Sequence, residues 1–328
     1  MEKAVIQGGI GLEQVQRARK FGVSVVLLTV LFRVFELGIP QTLLEALLRP
    51  AFTIHRETEQ PVRSFSFPYP YESAPPVDDS PKLPAFTAAD VQVLDIRDSS
   101  RREPDYAALM EMPLDWALMD TAPTVLILHT HTSESYETSE NSQAAYRSLD
   151  ETANMLSIGD RLAERLEQEG IRVIHDREYH DYPDYNTAYT HARKQIQTLL
   201  KQNPGILLVL DLHRDAAGEG DEQLTTHAWV NGEDSAQLML VLGLGSAGLP
   251  NNRWADNLSL ALKLQATLEA QCPGICRPMS LRDQRFNQDL APYSLLVEVG
   301  AAGDTQQEAL TAADQLAKAL AALKYGTG

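Results

Sequence analysis

From Ala122 onward the chain alternates short apolar runs with longer stretches whose apolar residues recur at helical spacing. The apolar runs are TVLILH, IRVIH, ILLVLDLH, LMLVLG and SLLVEVG, each rich in leucine or β-branched residues. Helical patterns lie between and after them at 153–169, 186–202, 254–271 and 305–323; in the first, Ile158, Leu162 and Leu166 line up as one apolar stripe. Strands that are apolar throughout are covered on both faces, and strands alternating with helices predict an α/β domain whose mostly parallel sheet is flanked by helices. In such a domain the ligand site lies beyond the carboxyl ends of the strands.

Charge narrows the partners. The 328 residues carry 28 Lys and Arg against 45 Asp and Glu, a formal charge of −17, and no basic stripe is available to neutralise a phosphate backbone. Nucleic acid is therefore not an expected partner. The only cysteines, Cys272 and Cys276 in CPGIC, exclude a four-thiolate zinc site and leave open a local disulfide or two free thiols.

Near the N-terminus RARK (17–20) precedes FGVSVVLLTVLFRVFELGI, a basic flank followed by an apolar run. As a helix Val23–Ile39 rises about 25 Å, slightly less than a bilayer core of roughly 30 Å. Arg33 and Glu36 interrupt it but are placed to pair on one face, and Leu43–Leu48 can prolong the helix. No small-residue cleavage site follows, so the expectation is an uncleaved single-pass anchor, with a buried or interfacial amphipathic helix as the plainer alternative. The anchor implies a cytoplasmic N-terminus (1–22), a transmembrane segment (23–40), an extracytoplasmic linker (41–118) and an extracytoplasmic α/β domain (119–328). Pro61, Pro68, Pro70, Pro75, Pro76, Pro81 and Pro84 punctuate the linker and argue against long elements there.

Three polar signals fall at or near the strand ends. TVLILHTHTSE ends a strand in His129 and His131, ILLVLDLHRDA ends another in Asp211, His213, Arg214 and Asp215, and SLLVEVG carries Glu298. Singly, each reads as a hydrogen-bonded structural residue. Together they bring imidazoles and a carboxylate to one rim, the nitrogen and oxygen donors that a catalytic zinc requires. Residues two apart on a strand face the same way, so the pattern alone does not choose between His129 and His131. His175 and His180 follow a strand and are candidates to line a groove, whereas His191 and His227 read as structural.

The stretches LILHTHTSESY, HDYPDYNTAY, VLDLHRDA, RFNQDLAPYSLLVEVG and DTQQEAL, in this order over roughly 123–323, resemble the stage II sporulation protein P family of membrane-anchored, zinc-dependent peptidoglycan hydrolases. The resemblance implies a zinc N-acetylmuramoyl-L-alanine amidase-like fold and cleavage of the amide between the muramic acid lactyl group and L-alanine; cleavage of peptide cross-links is also ascribed to the family. It implies His129 and His213 as zinc ligands and Glu298 as the catalytic carboxylate. Glu151 fits by position the third ligand that related zinc amidases take from the start of the following helix, although Asp150 is adjacent and Glu298 itself could ligate. The partners implied are peptidoglycan, the membrane and the transglycosylase called stage II sporulation protein D.

In this chemistry zinc activates water and polarises the carbonyl while Glu298 moves the proton. Ser133 and Glu134 are expected to orient the metal histidine from behind, and His131 to support the site or contact substrate. Arg214 is expected either at an oxyanion or substrate carboxylate or paired with Asp211 or Asp215, and Asn287 and Gln288 are expected at peptide amides. The competing readings are an idle sacculus-binding scaffold on the same fold and another metal-dependent hydrolase. The second would want more Asp and Asn ligands than DLHRDA supplies.

Overall fold

The computed structural model describes residues 83–327 apart from 120, 137–145, 217 and 220–221. The anchor expected at 23–40 and the linker as far as residue 82 lie outside the described residues. Among the described residues no helix is long and apolar enough to cross a membrane.

One sheet among the described residues is built from β1 (Ile96–Asp98), β2 (Val125–Leu128), β3 (Val173–His175), β4 (Leu208–Asp215), β5 (Leu238–Gly243), β6 (Met279–Arg282) and β7 (Tyr293–Ala301), of which β2, β3, β4, β5 and β7 are the five apolar runs. Their spatial order is β1-β6-β5-β7-β4-β2-β3. Every neighbouring pair is parallel except β5 and β7, which are antiparallel, so the sheet is mixed. The carboxyl ends of β2, β4 and β7 therefore share one rim.

Among the described residues five α-helices connect and cover these strands: α1 (Tyr106–Glu111), α2 (Met155–Gln168), α3 (Ala188–Gln202), α4 (Trp254–Gln271) and α5 (Gln306–Ala322). The Asn154 side chain accepts the Leu156 N–H to start α2, and Thr305 with Glu308 forms a reciprocal cap on α5. One sheet face, carrying Ile127, Leu210, Leu240 and Val297, packs on Leu162 of α2, Leu264 of α4 and Leu316 of α5. Leu162 is fully buried at the centre of its stripe, and its truncation to alanine is expected to cost about 2–5 kcal/mol. The opposite face carries Leu126, Leu128 and Val209 against Ala192 and Ile196 of α3. Beyond α3 the described residues of this second face form a small apolar cluster of Met239, Val241, Leu296 and Phe286. Strand alternation puts Asp211, His213 and Glu298 there as well.

The boundary at 119 moves towards the N-terminus. Within the expected linker, β1 pairs in register with β6 (Ile96↔Met279) and closes one edge of the sheet. Lys263 donates to the Leu109 carbonyl at 3.0 Å, and the Trp116 indole donates to the Leu323 carbonyl at 2.8 Å. The elements here are only three to six residues long, too short for periodicity to reveal between prolines. Cys272 and Cys276 are free thiols, raised above their ordinary pKa by burial.

Candidate functional site

Strand β2 stops at Leu128, and the chain then enters a turn in which the Glu134 N–H donates to the His131 carbonyl at 3.0 Å. Past the end of the strand the period of two no longer applies, and the two histidines part company. The turn also brings His131 and Glu134, three apart, to the same side.

His131 turns to the second sheet face. Its ring stacks on Tyr185 (centroids 4.3 Å apart, 16° between planes) and meets His213 edge-on at 5.3 Å. Its Nδ1 is buried without a hydrogen-bond partner. Burial and the nearby His213 charge push its pKa down to about 4, so the ring is neutral at physiological pH. Parallel register sets Glu298 of β7 beside His213 of β4. The Glu298 Oε2 is also buried and without a partner. Burial, with repulsion from Glu134 and Asp215, pushes this carboxyl up to about 8 against the pull of His213 and Arg214.

His213 lies between two acids. Its Nδ1 is 3.5 Å from Glu134 Oε2 and its Nε2 is 3.0 Å from Asp211 Oδ1. The second contact is close enough to attract but misaligned, leaving Nε2 without a hydrogen-bond partner. Burial opposes protonation of His213, yet Asp211 and Glu134 outweigh it and raise the pKa well above the ordinary histidine value. Asp211 is fixed by the Thr130 N–H at 2.7 Å and the Thr130 hydroxyl at 2.6 Å. Burial favours its neutral form and that of Glu134, but His213 and the hydrogen bonds they accept hold both below the usual carboxylate range.

His129 takes a different course. Its Nδ1 faces the Leu212 carbonyl at 3.2 Å, and its Nε2 lies 2.9 Å from Nε2 of His175, whose Nδ1 faces Asp160 at 2.9 Å. The pair lies against α2 at Gly159, where a Cβ would come within 2.6 Å of His129 Nε2 and closer still to His175. With acceptors at both ends, two neutral rings hold one hydrogen too few for all three contacts. Burial lowers the proton affinity of both rings, so the pair stays neutral.

The other candidates also find their places. Glu151 is half exposed and pairs at 2.7 Å with Arg177, which also holds Asp160, so it sits with the His175 group and is not brought to His213. Ser133 donates to Asp181 at 2.6 Å and accepts from Arg147, which leaves Glu134 alone of the two facing His213. Arg214 is buried, donating to the Ser135 carbonyl at 2.9 Å and the Tyr146 carbonyl at 2.6 Å, with Glu134 at 3.8 Å. Its guanidinium thus fastens the turn and pairs with neither Asp211 nor Asp215. Asn287, at φ 57, donates to the Tyr189 carbonyl and accepts from Arg193, while Gln288 bonds the backbone of Val241 and Gly243. Both amides thus have structural partners. His180 pairs with Asp176 at 2.9 Å.

The tyrosines beside acids near His175 and His180 were readable as groove lining, but that Tyr185 and Tyr189 pack against His131 was not. The His131 and Glu134 pairing was encoded in their spacing of three, visible once the strand end is placed. Two imidazoles with two carboxylates, and orphaned buried atoms on His131 and Glu298, match zinc in donor chemistry. As they stand, no group of three His, Cys, Asp or Glu side chains among the described residues is spaced to hold an ion.

A family model described as Stage II sporulation protein P matches residues 55–321. Stage II sporulation protein P of Bacillus subtilis (strain 168) is 26% identical over 208 residues, covering 59% of this chain and 49% of that protein. The match thus spans about half the length of the relative. Among solved structures the chain is similar to N-acetylmuramoyl-L-alanine amidase AmiC2 of Nostoc punctiforme (18% identity, 62% of this chain and 96% of that one, TM-score 0.35). It is also similar to the CwlD amidase from Clostridioides difficile, solved in complex with the GerS lipoprotein (15% identity, 62% and 98%, TM-score 0.37). With TM-scores below 0.5, neither likeness bears on the chemistry of this chain.

Proposed function

The chain belongs to the stage II sporulation protein P family, and we propose that it is a zinc-dependent peptidoglycan hydrolase that cleaves the N-acetylmuramoyl-L-alanine amide during sporulation. The observation that carries this reading is the pair of buried, unpartnered atoms, His131 Nδ1 and Glu298 Oε2, beside His213 and Glu134. Unsatisfied polar atoms cost stability, and here they gather at one rim of the sheet where a ligand would satisfy them. In this reading His131, Glu134 and His213 hold the zinc, in place of the set His129, His213 and Glu151 that the family resemblance implied. Zinc bound there supplies a Lewis acid that polarises the amide carbonyl and makes water a usable nucleophile near neutral pH.

The protein's own groups do the rest. Glu298, set beside His213 by the strand register with its Oε2 buried and unpartnered, is placed to take a proton from the attacking water and return it to the departing L-alanine nitrogen. Thr130 holds Asp211, which orients the His213 ring, and the Tyr185 ring backs His131. Residues 23–40 anchor the chain and place the domain outside the cytoplasmic membrane, where peptidoglycan lies and where stage II sporulation protein D is the proposed partner.

The test is mass spectrometry of purified peptidoglycan digested with the zinc-loaded full chain. Stem peptides with a free L-alanine amino group should appear, and chelation should stop their release. Binding to the sacculus without any release would favour the idle scaffold instead. For the anchor, external protease should remove the domain from intact cells; a wholly soluble protein would defeat it.

A further inference from the structure

The second sheet face continues past Glu298 across β5, β6 and β1, and no helix among the described residues covers it there. A cleft of about 870 Å³ opens on this surface, a size suited to a small ligand or a few residues of peptide. It begins beside the site: Asp215 follows His213 by two residues on the same face of β4, and Met239, which lies in the cleft, is the register partner of Glu298.

Its charges are unusual for a chain of net charge −17. Three arginines line it, Arg97 from β1, Arg277 from the approach to β6 and Arg282 from β6. Arg277 grips Asp215 through Nη2 at 2.8 Å and leaves Nη1 buried without a partner. The cleft's other acid, Asp283, is taken by Arg101 at 2.8 Å. Arg97 and Arg282 are exposed and have no carboxylate partner among the described residues, and Arg282 meets only the Ser280 hydroxyl, at 3.0 Å. With each acid paired, the cleft keeps two uncompensated guanidinium groups and one orphaned donor. Guanidinium forks match carboxylates.

The spacing suits an extended chain. Arg282 is in register with Gly243, four residues along β5 from Met239 and so about 13 Å from the Glu298 row along the strand. Allowing for the sideways step across the strands, an extended peptide of four or five residues, roughly 13–18 Å, reaches from Glu298 to Arg97 or Arg282. We propose that this cleft binds an extended peptide bearing several free carboxylates, with Arg97, Arg277 and Arg282 as its recognition residues. On the function proposed above, whose substrate it refines, that peptide is the acidic stem of peptidoglycan, lying across β5, β6 and β1 with its first amide at Glu298.

The experiment is calorimetric titration of the full chain with the free tripeptide L-alanyl-γ-D-glutamyl-diaminopimelate and with its carboxamide counterpart, alongside the kinetics of peptidoglycan digestion. The carboxylate form should bind about tenfold more tightly than the amide form. The double variant Arg97→Gln/Arg282→Gln should erase that preference and raise KM by a similar factor while leaving kcat in place. Lys201→Gln, which removes an exposed charge on α3 outside the cleft, should change neither. Equal affinity for the two peptides, unaltered in the double variant, overturns the cleft, and continued hydrolysis would then leave the amidase reading standing. Carboxylate-dependent binding lost in the double variant, with no hydrolysis by the zinc-loaded chain, upholds the cleft and removes the amidase.

Discussion

Two imidazole clusters sit on either side of one turn, only two residues apart in sequence, and they differ in what they leave undone. In the His129 group each ring nitrogen already has a neighbour: Leu212, His175 or Asp160. In the His131 group, polar atoms of His131 and Glu298 are buried with no hydrogen-bond partner, and two acids close on one histidine. A buried group in which every ring nitrogen has a polar neighbour helps to hold a fold together even where, as between His129 and His175, one hydrogen is missing, whereas buried atoms with no polar partner cost free energy and persist when something outside the chain completes them. Exposure does not separate the two groups, since His129 and His213 are both buried; partner counting does.

The contrast is sharpest at Glu298. Glu298→Gln keeps size and shape but removes the proton carrier, and hydrolysis should fall by about 10²- to 10⁴-fold while zinc is retained, read by release of stem peptides. Loss of the metal as well would make Glu298 a ligand and move it from the proton to the ion. The same residue shapes the stability of the metal-stripped chain. Unfolded, it titrates near 4.5, and folded only at about 8, so the folded form holds an extra proton between these values. Its favourable contribution is complete below pH 4.5 and drains away as pH rises through 8. Thermal unfolding in chelator should show this slope in the parent chain, and a flatter profile in Glu298→Gln.

Next come the three histidines themselves. His131→Ala and His213→Ala should each lose bound zinc and nearly all activity, whereas His129→Ala should keep its metal and lose stability. Metal analysis of the purified variants decides, and zinc lost only from His129→Ala would exchange the roles of the clusters. On the other side of the turn, Gly159→Ala drives a methyl into the His129 and His175 rings. It should lower stability by about 1–3 kcal/mol, the usual cost of overpacking, with zinc content unchanged.

Much of the fold could be read in advance because its signals are long. The pattern at 254–271 coincides with α4, and LMLVLG with β5, while α2 and α5 fall inside their predicted spans because Asn154 and Thr305 act as caps just before the first turn. What escaped was short or two-sided. β1 and β6 have three and four residues, and in MSLR and IRD the polar residues that face the cleft break the apolar run. The site was legible as residue types and strand ends, with His213 and Glu298 brought side by side by register. That His129 and His131 join different groups was not, because it depends on where β2 stops, one residue before the first histidine.

The smallest effect belongs to Glu151, and it tests whether chain position or geometry identifies a ligand. By position it resembles the third ligand of related amidases; in the fold its carboxylate meets Arg177 at the exposed foot of the His175 group. An exposed ion pair of this kind contributes about 0.2–1 kcal/mol at most, less in salt. Glu151→Ala should therefore shift thermal unfolding only slightly and leave both zinc content and hydrolysis at parent values. Glu134→Ala, three residues from His131 and facing His213, should lose the metal in the same assay. If the two variants behave the other way round, the metal belongs with His129 and Glu151, and the unpartnered atoms beside His213 require another explanation.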